Sequence, residues 1–226
     1  MKFLNRWFGP RSHHHTSKAK TMSYLLRIDA SSRQQDSHSR TLADAFETAW
    51  RKRYPSGTVV RRDLASTPVG HISDRTIKGF YTPREAHDAD LREATGLSDT
   101  LIKELDRADT VLIATPMYNF SIPSALKAWI DQIVRINRTF AYDGAHFTGL
   151  LKVRRVVIVA AFGAAGYGDA LASADFVTPY LKFVFNFLGV SDVSVIAAEA
   201  TTADATIVAR NVAEAKNVAV SLVGAA

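Results

Sequence analysis

Thr110-Val111-Leu112-Ile113-Ala114-Thr115 runs straight into Pro116-Met117-Tyr118-Asn119-Phe120-Ser121-Ile122-Pro123. The first six residues are apolar almost throughout and rich in β-branched side chains. That is the pattern of a strand covered on both faces, which occurs in parallel sheets. The two prolines stiffen the segment that follows. After Pro123, Leu126, Trp129, Ile130, Ile133 and Val134 recur on one face of a helix.

Outward from this unit the same alternation repeats. Tyr24 to Asp29 reads as the first strand, and Leu42, Ala45, Phe46, Ala49, Trp50 and Arg53 follow at helical spacing until Pro55-Ser56-Gly57. Thr58 to Asp63 is the second strand. Residues 64–82 read as a long connection with a single helical turn, and 84–107 as a helix opened by Pro83 and broken at Gly96. Residues 137–152 suggest a loop with a small hairpin. Arg154 to Ala160 is the fourth strand, Asp175 to Leu188 a helix ended by Gly189, Asp192 to Ala198 the fifth strand, and Ala203 to Leu222 the last helix. Five βα units predict an α/β fold: a five-stranded parallel sheet in the flavodoxin-like order 2-1-3-4-5, with helices on both faces. The rival six-stranded dinucleotide fold lacks its glycine fingerprint, since residues 30–39 contain no glycine.

The chain has 226 residues, no cysteine and a net charge of +6. Disulfides, thiolate catalysis and cysteine-ligated metals are thereby excluded. Five positive charges and no acid fall in residues 1–22, leaving the rest near neutral. A nucleic-acid binder concentrates basic charge on its folded face, so nucleic acid is not expected as a partner. Residues 1–22 read as a disordered or non-native leader before a start at Met22, with a targeting peptide or a His13-His14-His15 metal tract as alternatives. Residues 23–226 read as one domain. No apolar run is long enough to span a bilayer, so no membrane partner is expected and the cytoplasm is the default compartment.

In an open parallel sheet, ligands bind beyond the carboxyl ends of the strands, near the switch in strand order. Three loops meet that condition. The first holds Ser31, Ser32, Ser37, His38 and Ser39 and opens a helix, whose unpaired N–H groups and partial positive charge suit a phosphate. Ordinary capping would need only one serine. The second, Pro116-Met117-Tyr118-Asn119-Phe120, offers Tyr118 and Phe120 to flank a planar ring and Asn119 to bond its polar edge. Core filling beneath a loop is the alternative. The third, Ala161-Phe162-Gly163-Ala164, lets backbone approach a ligand closely. Together they point to a flavin. Asp143 with His146 reads as a solvated pair sooner than a proton relay. His71 and His87 lack ligand spacing, and no nucleophile elbow occurs.

At these loops the chain resembles the FMN-dependent NADH-azoreductase family, a branch of the flavodoxin-like NAD(P)H quinone reductases. The likeness covers residues 23–222. It is carried by 116–120 with Ile122-Pro123 and Leu126-Lys127, by Ser31 and Ser37-His38-Ser39, by Val177-Thr178-Pro179-Tyr180-Leu181 and by Phe140-Ala141-Tyr142. Glutamine is more familiar where this chain has His38, and Ser-Arg-Gly-Gly where it has 161–164. The resemblance implies FMN held by Ser31, Ser37, His38, Ser39, Pro116, Met117, Tyr118, Asn119, Phe120, Ala161, Phe162, Gly163 and Ala164. It implies NADH or NADPH as co-substrate, and quinones or azo compounds reduced by ping-pong hydride transfer. Tyr118, Phe120 and Phe162 would face the acceptor, no side chain would act as a catalytic acid or base, and the protein would be a homodimer. A flavodoxin-type electron carrier is the alternative, set against the near-neutral body and the long segments 64–107 and 137–152.

Overall fold

In the computed structural model, which describes residues 23–224, residues 110–116 form the middle strand of a five-stranded parallel sheet. The strands are β1 (Tyr24–Asp29), β2 (Thr58–Asp63), β3 (Thr110–Pro116), β6 (Arg155–Ala161) and β7 (Asp192–Ala198), in the order β2-β1-β3-β6-β7. This is the expected 2-1-3-4-5 order once the short antiparallel hairpin of β4 (Phe140–Tyr142) and β5 (Phe147–Gly149) is numbered in sequence. The leader expectation for residues 1–22 lies outside the described residues.

Helices cover both faces because every central strand is apolar on both. Leu26, Ile28, Val111, Ile113, Val156 and Ile158 pack with α3 (Ala89–Arg107), α4 (Ser124–Ile133) and α5 (Thr178–Phe187). Leu25, Leu112, Ala114, Val157 and Val159 pack with α1 (His38–Arg53) and α6 (Ala205–Gly224). Two charged residues of β1, Arg27 and Asp29, break this rule as a buried pair. Arg27 in β1 is only 2% exposed, with its guanidinium on Asp29, Asp44 and Glu47. Burial works against that charge, but the carboxylates outweigh it and hold Arg27 protonated.

Three expectations needed correction. Residues 64–82 hold a two-turn helix, α2 (Asp74–Tyr81), because Ser73 and Thr76 form a reciprocal capping box that steadies a short segment. The helix read over 84–107 begins only at Ala89, where Asp88 caps the Leu91 N–H, and Arg84–Ala86 is a separate 3-10 turn. Gly96 does not break α3, since a single glycine with open space around it is tolerated in a long helix. Among the described residues, no helix is long and apolar enough to cross a membrane.

Candidate functional site

The register of the sheet decides which loops meet. Asp29 of β1 lies beside Ala114 of β3, and Pro116 of β3 beside Ala161 of β6, all with strands running the same way. The three loops therefore leave one edge side by side. Each is tied at its root to the next strand: Ala30 N–H donates to Ala114 O, Met117 N–H to Ala161 O and Phe162 N–H to Ala198 O, each at 2.9 Å.

The first loop ends in α1. Ser37 is its N-cap, with Oγ accepting the Arg40 N–H at 3.5 Å and lying 3.3 Å from Ser39 Oγ. Ser31 is buried, and its Oγ accepts the Arg33 N–H. His38 is half-buried. The N–H groups of His38 and Ser39 start the helix and so have no intrahelical acceptor. With the serine hydroxyls they make a small donor-rich mouth at the positive end of α1.

The second loop is a tight turn. Tyr118 and Ser121 exchange backbone hydrogen bonds at 2.9 and 3.1 Å. Between them Asn119 and Phe120 both take positive φ, 49° and 70°. This turns the Phe120 ring outward, 57% exposed, with Tyr118 and Asn119 also exposed and Pro116 and Met117 half-buried. Among the described residues the Asn119 and Phe120 N–H groups donate to nothing, while Phe120 O accepts the Phe176 N–H at 3.1 Å.

The third loop is fastened from behind. Thr201 N–H and Oγ1 donate to Phe162 O at 3.0 and 2.9 Å, Thr202 N–H and Oγ1 donate to Gly163 O, and Ala200 N–H donates to Ala164 O. The Glu199 carboxylate accepts the Gly166 and Gly168 N–H groups at 2.6 and 3.2 Å. The Gly163 and Ala164 N–H groups have no acceptor among the described residues. Ala161 closes β6 and is buried. Phe162 departs from its expected placement at the acceptor. Its side chain is 1% exposed, inside the core, stacked under Tyr167 with ring centroids 4.8 Å apart. The bulky apolar side chain points into the sheet–helix layer because the strand's alternation continues one residue past Ala161.

Several residues that matter here went unread in the sequence. Arg40, third in α1, forks onto Asp63 at the end of β2 and also reaches Ser31 O. Its hydrogen bonds, with those from the Ala65 and Ser66 N–H groups, hold the Asp63 carboxyl well below the usual carboxylate range despite partial burial. Burial pushes Asp29 up, against the pull of Arg27 and Arg40. A cation in the first turn of a helix opposes the helix dipole, and that anomaly was the available signal for Arg40. Glu199 gave none. The Asp143–His146 pair serves the β4–β5 turn: Asp143 Oδ1 accepts the Ala145 and His146 N–H groups. His87 Nε2 sits on Gly79 O and Thr82 O. Among the described residues no metal-binding cluster exists. The whole arrangement offers a donor-rich mouth at one end and, beside it, backbone donors without an acceptor among the described residues and exposed aromatic faces.

Comparison with known proteins bears on the fold and the family. The flavodoxin-like fold family matches residues 23–222. The FMN-dependent NADH:quinone oxidoreductase of Xanthobacter autotrophicus is 51% identical over 176 residues, 77% of this chain and 85% of that protein. The protein of the same name from Hydrogenovibrio crunogenus is 38% identical over 195 residues, 86% and 96% of the two chains. Among solved structures, an FMN-dependent NADH-azoreductase from Bacillus anthracis in complex with FMN superposes with a TM-score of 0.78 at 25% identity, over 89% of this chain and 100% of that one. With that coverage and identity, the chain belongs to the flavodoxin-like fold family, among the FMN-dependent NADH:quinone oxidoreductases.

Proposed function

We propose that this protein is an FMN-dependent NADH oxidoreductase that reduces quinones and azo compounds in a ping-pong cycle, as a homodimer. The supporting observation is the convergence at one sheet edge of the α1 mouth and the N–H groups of Asn119, Phe120, Gly163 and Ala164, which have no acceptor among the described residues. A nucleotide flavin has both features these groups need, a phosphate and a flat ring with one polar edge.

The residues fit FMN. His38 and Ser39 N–H with the Ser37 and Ser39 hydroxyls would hold the phosphate, Ser31 and Ala161 would shape the floor, and Pro116 to Phe120 with Gly163 and Ala164 would hold the ring and its polar edge. When bound, FMN supplies the two-electron hydride chemistry that amino-acid side chains lack. Tyr118 and Phe120 present aromatic surface against which nicotinamide and acceptor would lie in turn, and their bulk would exclude water there. Phe162 supports the site from below, through Tyr167. Asn119 donates from a turn already fixed by Tyr118 and Ser121, so little ordering is needed on binding.

The dimer reading rests on an aromatic surface. Tyr142, Phe147, Phe187 and Phe183 form a chain of ring contacts from the hairpin to α5, and its two ends are 47% and 50% exposed. Large rings of this kind in water are characteristic of an interface.

The test is direct. Protein loaded with FMN should bleach on anaerobic mixing with NADH in a stopped-flow instrument. Steady-state rates with benzoquinone, a naphthoquinone and an azo dye should give parallel double-reciprocal lines. A yellow protein that NADH does not reduce would be a carrier, and a protein that takes up no FMN would retain only the fold.

A further inference from the structure

Arg40 meets both ends of the segment it closes. Nη2 donates to Ser31 O at 2.8 Å, across nine residues of chain. Nη1 and Nη2 fork onto the two Asp63 oxygens, each at 2.8 Å, and Asp29 Oδ2 lies 3.9 Å from Nη1. The side chain is 13% exposed. A second stitch runs parallel to the first: Gln34 Nε2 donates to Ser66 Oγ at 3.2 Å, and Ser66 Oγ to Asp63 Oδ2 at 3.1 Å. The serine loop is therefore sewn to the end of β2 by hydrogen bonds that involve neither of the other two loops.

A guanidinium at this place looks like a phosphate ligand, but its surroundings argue otherwise. Its fork is already spent on Asp63, which neutralises it, while Asp29, 3.9 Å away, is held by Arg27; only the buried Nε N–H of Arg40 has no partner among the described residues, and it is closed off from solvent. What it supplies is shape. A nine-residue connection free to open would have to be ordered when its ligand arrives, and tying strand end to helix start beforehand removes that cost.

We propose that Arg40, paired with Asp63, is a positioning residue that holds residues 31–39 in their phosphate-receiving form and so sets affinity for the phosphate end of FMN alone. This rests on the assignment of that loop to the phosphate. Flavin-fluorescence titration should compare FMN with riboflavin, which has the same ring and no phosphate, on the wild type and on Arg40→Met, Arg40→Lys and Asp63→Asn. Arg40→Met should weaken FMN about tenfold or more and riboflavin by less than about twofold. Asp63→Asn should move the same ratio in the same direction. Arg40→Lys keeps the charge without the fork and should recover only part of the loss. Should Arg40→Met not fold, the other two variants carry the comparison. Equal weakening of both flavins, an unchanged FMN preference in the variants, or full recovery by lysine would overturn the proposal. A wild type that holds FMN no tighter than riboflavin would overturn the phosphate assignment itself.

Discussion

Phe120 sits at φ 70°, in a region that bulky side chains rarely occupy. Such a conformation costs of order 1 kcal/mol and persists where neighbouring bonds over-determine it. Here the Tyr118–Ser121 pair and the Phe176 N–H to Phe120 O bond do so. Because the ring is more than half exposed, little packing offsets the strain. Phe120→Gly should therefore leave stability unchanged or raise it by up to about 1 kcal/mol in urea unfolding, while raising KM for naphthoquinone several-fold. A loss above about 1 kcal/mol would make Phe120 a packing residue instead. At this scale the sequence was partly legible. The run from Pro116 to Phe120 is stiff, aromatic and local, and its exposed rings stand where its composition suggested. Phe162 was misread because one more step of strand alternation, invisible without the β6–β7 pairing, turns its ring inward.

Elements carry a different lesson. The hairpin of β4 and β5 touches the end of α5 at a backbone-to-backbone approach. A Cβ on Gly149 would lie 2.1 Å from Gly189 N and 2.2 Å from Leu188 C, while Gly189 itself needs φ +101° to end the helix. Gly96 in α3 has open space instead. Gly149→Ala should thus destabilise by about 2–3 kcal/mol, and Gly96→Ala should stabilise by about 0.5–1 kcal/mol, through helix propensity alone. Paired thermal melts give both signs in one experiment. From sequence, Gly96 was read as a break and residues 137–152, which hold Gly149, as a loop with a small hairpin. Only one of the two glycines is irreplaceable, because a glycine's role depends on what approaches it. Helix starts were similarly elusive. Asp88 and Ser73 act through side-chain caps whose bonds span three residues, a weaker signal than the apolar stripes of α1 or α4.

For the whole molecule, the aromatic chain from Tyr142 to Phe183 is the surface on which the homodimer reading depends. Phe183→Glu should shift sedimentation toward the monomer and lower NADH-dependent quinone reduction, whereas a wild type that sediments as a monomer would remove that reading. The sheet order was written in the chain, because apolar strands alternating with amphipathic helices leave few ways to bury both faces, and right-handed crossovers prune the rest. The serine mouth and the proline-braced turn were also legible, since each is a contiguous stretch whose chemistry is local. Tertiary structure alone decided that Arg40 closes the first loop onto Asp63, that Glu199 and the threonines after β7 fasten the third, and that Phe162 lies beneath it. These partners lie 23 to 39 residues apart in the chain. Periodicity records which side a residue buries, but only the register of neighbouring strands determines whom it meets.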